Sequence, residues 1–196
     1  MKWYDPMECD NTVKEPLVCD FNNLSENGYS KYSFFTGMRI DNWKSNIFFQ
    51  AKKKRNNGEP DDVLQSATML PIYSPRMINA LKLGGIEGIQ YLPIEILQSS
   101  GEITEGFCIA NILNLVGAFD EEKSVFRRFS RDFPNPNVRG KITGIRKSVL
   151  RKEMLTGCDI IRLKESNLCI YVSEKFKDIF EQNGFTGYSF SEIELS

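Results

Sequence analysis

The sequence contains no histidine. That removes the side chain whose charge changes nearest neutral pH, and with it the commonest acid–base catalyst and metal ligand. Chemistry on this chain would have to use carboxylates, lysine or cysteine. Cysteine is sparse and unpatterned. The five residues Cys9, Cys19, Cys108, Cys158 and Cys169 form no Cys-x-x-Cys pair, and their number is odd. Such a set argues against a zinc site or a disulfide framework and for reduced thiols. No apolar run approaches the length of a membrane span, and the opening MKWYDPMECD has no apolar signal core. A cytoplasmic protein that does not contact membrane is expected. Charge of one sign is lacking too. The 25 basic residues meet 26 acidic ones for a net charge of −1, which is not the balance of a dedicated nucleic-acid binder. No Gly-x-Ser-x-Gly, His-Glu-x-x-His, P-loop or dinucleotide fingerprint occurs.

What is present is a globular composition, 41% hydrophobic over 196 residues, enough for one sizeable core or two small ones. Residues 16–21 and 32–40 read as strands, 46–54 starts as a strand and ends in charge, and KRNNGEPDD (54–62) reads as a loop. Then one layout appears twice. TMLPIY (68–73) reads as a strand, Ser74 as a helix cap, Pro75 as the first helical residue, and Gly84 and Gly85 as the stop. In the second copy LCIYV (168–172) is the strand, Ser173 the cap and Gly184 the stop. Apolar residues then fall at 89, 91, 94 and 96, and again at 188, 190, 193 and 195. Each final strand therefore changes face midway, which predicts a β-bulge in both copies. Between the copies, residues 106–120 alternate as a central strand apolar on both faces. A helix through Ile109, Ile112, Leu113 and Val116 fits nearly as well. Residues 144–155 predict a strand running into a turn, and 158–164 a strand. The fold class expected is α+β, with a mixed, largely antiparallel sheet and two similar strand–helix–bulged-strand units.

Three stretches carry chemistry worth weighing. GGIEG (84–88) follows a helix signal instead of preceding one, so it reads as a stop and turn, not a phosphate cradle. Asp120, Glu121 and Glu122 are adjacent, which suits a charged turn better than a pair of carboxylates set across a cleft. KKKR (52–55) and RRFSR (127–131) are basic, the second with an aromatic inside. They suit single-stranded nucleic acid, but a sequence pI near 5.7 favours solvated strand ends or a face for an acidic protein partner.

With these segments placed, the chain from about Leu70 onward resembles a bacterial immunity-protein family that accompanies polymorphic toxins and secreted effectors. GIEGIQYLPIEI (85–96) resembles its glycine–aromatic–Pro-Ile-Glu strand. FCIANILNLVGAFDEEKS (107–124) resembles its long apolar strand ending in Asp and then Ser, with Gly117 a departure from its pattern. GCDIIRLKESNLCIYVSEKFKDIFEQNGFTGYSFSEI (157–193) resembles its closing block. The resemblance implies a non-enzymatic protein without a cofactor, which neutralises a cognate toxin or effector by covering it. The alternative is a nucleic-acid-binding module using 52–55 and 127–131. A single domain over 1–196 is expected, with 1–58 a β-rich sub-region and 62–196 the family-like core.

The resemblance also marks Asp120, Ser124, Arg162 and Ser173, for which structural roles are expected. Ser173 is a cap, while Asp120 and Arg162 bond to each other or to backbone. Candidate partner anchors are Trp43, Phe48, Phe126, Arg127, Arg128 and Phe133. These aromatic and arginine residues lie in charged, loop-flanked stretches outside the repeated layout.

Overall fold

A computed structural model describes residues 1–8, 18–51, 60–98 and 101–196. In chain order the elements are β1 (Trp3–Glu8), β2 (Val18–Asn22), a 3-10 turn (Lys31–Phe35), β3 (Phe48–Ala51), β4 (Val63–Ser66), β5 (Ile72–Tyr73) and α1 (Pro75–Leu83). There follow β6 (Ile89–Pro93), β7 (Glu95–Leu97), β8 (Ile103–Thr104), β9 (Cys108–Ile112), β10 (Leu115–Val116), β11 (Val125–Arg128) and β12 (Ile142–Lys147). The last are β13 (Val149–Leu150), β14 (Ile160–Leu163), β15 (Ile170–Ser173), α2 (Glu174–Gln182) and β16 (Tyr188–Leu195). Mixed and antiparallel sheets with two helices make the α+β class expected.

One sheet has the order β6-β9-β5-β4-β2-β3-β7-β8. Only Ile94 separates β6 from β7, yet β6 pairs with β9 and β7 with β3, far along that order. The same line of chain thus reaches both sides and curls the sheet around Phe34, Phe35, Phe49, Leu64, Ile96 and Ile109. The other large sheet runs β10-β14-β15-β1-β16-β13. Phe119, just beyond β10, bridges Leu150 of β13, and a second core of Trp3, Phe119, Leu150, Ile161, Leu163 and Tyr171 lies inside. A third core joins the two sheets. Met77, Ile78 and Leu81 of α1 and Phe176 and Phe180 of α2 pack there with Tyr73, Ala110, Tyr4 and Val172. Residues 1–51 serve both sheets, because β1 pairs with β15 and β16 whereas β2 and β3 pair with β4 and β7.

The helix caps form as expected and bring more with them. Ser74 Oγ accepts from the Met77 amide and donates to the Asp62 carboxylate at 2.6 Å. Ser173 Oγ accepts from the Phe176 amide and donates to Asp159 at 2.6 Å. Arg76 grips Asp62 at 2.7 and 2.6 Å and reaches the Gly184 carbonyl beyond α2. Lys175 meets Asp159 at 3.3 Å and reaches the Gly85 carbonyl beyond α1. The first turn of each helix is therefore tied to the chain leaving the other. Gly85 and Gly184, at φ +69° and +58°, supply the left-handed residues that end the helices.

Several sequence expectations need correction. The predicted bulges are absent: β6 pairs with β9, and β16 with β1, in unbroken register. The change of face has another cause, since each strand is covered on both sides by different cores. Ile89 and Tyr91 pack on the helical core, while Ile94 and Ile96 pack inside the first sheet. Tyr188 and Phe190 face the helical core, while Ile193 and Leu195 face the second sheet's core. Residues 32–40 are not a strand. Ser30 caps a 3-10 turn at the Tyr32 amide, and the turn buries the neighbours Phe34 and Phe35 together, which a strand would send to opposite faces. Strand structure in 68–73 is confined to Ile72–Tyr73, because Met69 has φ +58°. The helix alternative for 106–120 fails: Cys108–Ile112 is a strand buried at every position.

Asp62 accepts from Ser74, Arg76 and the Thr186 amide. Asp62→Ala is expected to cost about 2–3 kcal/mol, and Ser74→Ala or Ser173→Ala about 1 kcal/mol each, in urea unfolding.

Candidate partner-binding surface

The residues marked by the resemblance are built into the scaffold. Asp120 accepts from the amides of Glu122 and Lys123 at 3.0 and 3.1 Å, closing the turn between β10 and β11. Ser196 first, and then those amides, hold its carboxyl below the usual carboxylate range. Ser124 Oγ accepts from the Val149 amide at 2.9 Å and pins that turn to β13. Ser173 is the α2 cap. Arg162 has 0% exposure. Burial lowers its pKa to about 10. Its Nη1 donates to the Asn167 and Leu168 carbonyls, and its guanidinium lies 4.9 Å from the Phe35 ring centre. It thereby joins the second sheet to the 3-10 turn of the first. Its Nε and Nη2 have no hydrogen-bond partner among the described residues. Asp120 and Arg162 each bond to backbone and not to one another.

The six candidate anchors divide into two groups. Trp43 is half-buried on the first sheet's core, stacked at 4.6 Å on Tyr29, with its indole N–H donating to the Pro93 carbonyl. Phe48 is half-buried and tilts against the exposed Phe21. The other four come together on the β11–β12 hairpin and its loop. Phe126 turns inward, edge-on to Phe119 at 5.2 Å, and roots the hairpin on the second core. Arg128 lies over Phe126, donates to the Gly140 carbonyl and pairs with Glu121. Arg127 is exposed. Phe133 is 36% exposed and packs on Phe129 at 4.6 Å.

Among the described residues β11 and β12 form a two-stranded sheet, pairing only with each other. The connecting loop is held in shape. Phe129 N–H donates to the Lys141 carbonyl, Gly140 N–H to the Phe129 carbonyl, and Arg139 Nε to the Phe133 carbonyl at 2.7 Å. Sequence reasoning saw the basic RRFSR but missed its continuation. The pairing of β11 with β12 sets Arg127 and Arg128 beside the strand that carries Arg146 and Lys147, and Lys141 just precedes that strand. The signal was there in GKITGIRKS (140–148), where basic residues flank a β-rich run before a partner strand is known. The other basic run, 52–55, lies outside the described residues.

Two cavities, of about 520 and 270 Å³, share Asp5 and Cys169 in their walls. Burial pushes the Cys169 thiol up, as it does Cys108 and Cys158. That is the opposite of an activated nucleophile. Burial alone raises the carboxyl of Asp5. The acidic run 120–122 lies on the turn before β11 and lines neither cavity. Among the described residues no group of three or more Cys, Asp or Glu is placed to hold a metal ion. No helix there is long and apolar enough to cross a membrane.

The chain belongs to the immunity protein family Imm11, whose model matches residues 7–194. The match takes in β2, β3 and the last two residues of β1, beyond the motifs quoted above. No curated protein matches the sequence.

A carboxyl with a raised folded-state pKa is penalised for ionising. Its cost is present above the folded pKa and relieved as pH falls toward the unfolded value near 4. Asp5→Asn should therefore unfold at higher temperature than the parent at pH 7, with the gap closing as the pH approaches about 4 in calorimetry.

Proposed function

We propose that this protein neutralises a cognate toxin or effector in the cytoplasm by binding and occluding it, without catalysis. Family membership makes toxin immunity the reading, and one observation carries the means. The β11–β12 hairpin exposes Arg127 on β11 and Phe133 on a loop already held in one shape, and neither side chain belongs to a core. Preorganised aromatic and arginine anchors lower the ordering cost of association. A tight inhibitor of this kind buries roughly 1,200–2,000 Å² in total. The hairpin fits as its centre, with Arg128 held over Phe126 to support it.

The chain is read as one α+β domain over residues 1–196. Its two helix-centred stretches are read as one structural unit used twice. The matched caps, with Asp62, Ser74 and Arg76 in one and Asp159, Ser173 and Lys175 in the other, support this.

A toxin gene is expected directly beside this one, and the test is co-purification with its product. A stable complex is expected. Phe133→Ala and Arg127→Ala should each weaken it by at least about tenfold in calorimetric titration while leaving the unfolding midpoint unchanged. Wild-type protein that leaves its neighbour's product unbound and active refutes the reading.

A further inference from the structure

We propose that the partner surface received by the β11–β12 hairpin is acidic. The inference rests on the immunity reading and names the chemistry of the face that is covered. Residues 125–147 hold seven cations, Arg127, Arg128, Arg131, Arg139, Lys141, Arg146 and Lys147, against the single anion Asp132, in a chain of net charge −1. The rest of the chain is therefore net −7, and an excess of six positive charges is gathered on one hairpin.

The fold uses little of that charge. Arg128 pairs with Glu121 and Lys147 with Glu194, while Arg139 is engaged by backbone. Arg127, Arg131, Lys141 and Arg146 have no ion pair among the described residues. Like charges gathered on one hairpin repel each other, and a complementary surface removes that cost. Such complementarity also raises association rates, in a way that salt screens.

A protein face fits better than a nucleic acid. Phe129 and Phe133 pack on one another at 4.6 Å instead of standing apart as platforms for successive bases. The net −7 of the rest of the chain also opposes a long polyanion, whose charge extends well past the hairpin's footprint. A compact acidic patch meets the hairpin alone, within about one Debye length, roughly 8–10 Å.

The experiment measures association and dissociation rates between the full chain and the adjacent gene's toxin at about 50 and 300 mM salt. Wild-type association is expected to slow about tenfold or more across that range. The double variant Arg127→Glu with Arg131→Glu should associate at least about tenfold more slowly at low salt and lose most of the salt dependence. Both sites are exposed, and unchanged thermal unfolding verifies that the variant is folded. Phe133→Ala should instead raise the dissociation rate and keep the salt dependence. A toxin bound tightly with no salt dependence, or bound equally well by the charge-reversed variant, overturns this inference and leaves the immunity reading standing. Tighter binding to single-stranded RNA than to the toxin at the same salt overturns it in favour of nucleic acid. Wild-type protein that fails to bind the toxin at either salt overturns both.

Discussion

Two carboxylates, Asp62 and Asp159, each sit just before a strand and hold the serine that caps the following helix. Around each gathers a cation from the first helical turn, Arg76 or Lys175, which continues across to a carbonyl beyond the opposite helix. Sheet, helix and neighbouring helix are locked by one small polar cluster on either side. Close packing between α1 and α2 depends on it. A Cβ at Gly84 would stand 2.3 Å from the Ile179 Cδ1, so a side chain there requires Ile179 to turn aside. The curled sheets can each enclose their own core because this junction fixes how they meet the shared helical layer.

Arg162 adds a second tie between the sheets. Burying a guanidinium without a carboxylate partner is costly. The compensation visible is two carbonyl bonds and the face of Phe35. Truncating Phe35 would remove packing from the first sheet's core and uncover the Arg162 guanidinium. The outer hairpin stands apart from these constraints. Phe126, Ile142 and Ile145 anchor it on the second core, while Arg127, Arg131, Lys141 and Arg146 are exposed.

Much of this was legible in the sequence where short-range chemistry decides. Ser74, Ser173, Gly85 and Gly184 announce helix ends by local bonding rules, and the α+β class follows from the strand and helix patterns. The alternation at 108–112 was readable as a strand, although its burial on both faces left a helix almost as plausible. What was not legible depends on contacts distant in sequence. The change of face at 94 and 193 looked like a bulge because periodicity reports which side is apolar, never which core covers it. The partnership of Asp62 with Ser74 spans 12 positions and that of Arg76 with Gly184 spans 108, so no local pattern announces either. Half of the candidate surface was seen, in 126–133. The rest came from a strand that joins it only after folding.

The isolation of the hairpin has an evolutionary consequence. Its ladder is closed on itself, so substitutions at Arg127, Arg131, Lys141 or Phe133 disturb no backbone pairing in either large sheet. A lineage facing a changed adversary could rewrite those positions through many small steps, each nearly silent for folding. The architecture separates what must be inherited unchanged from what is free to drift.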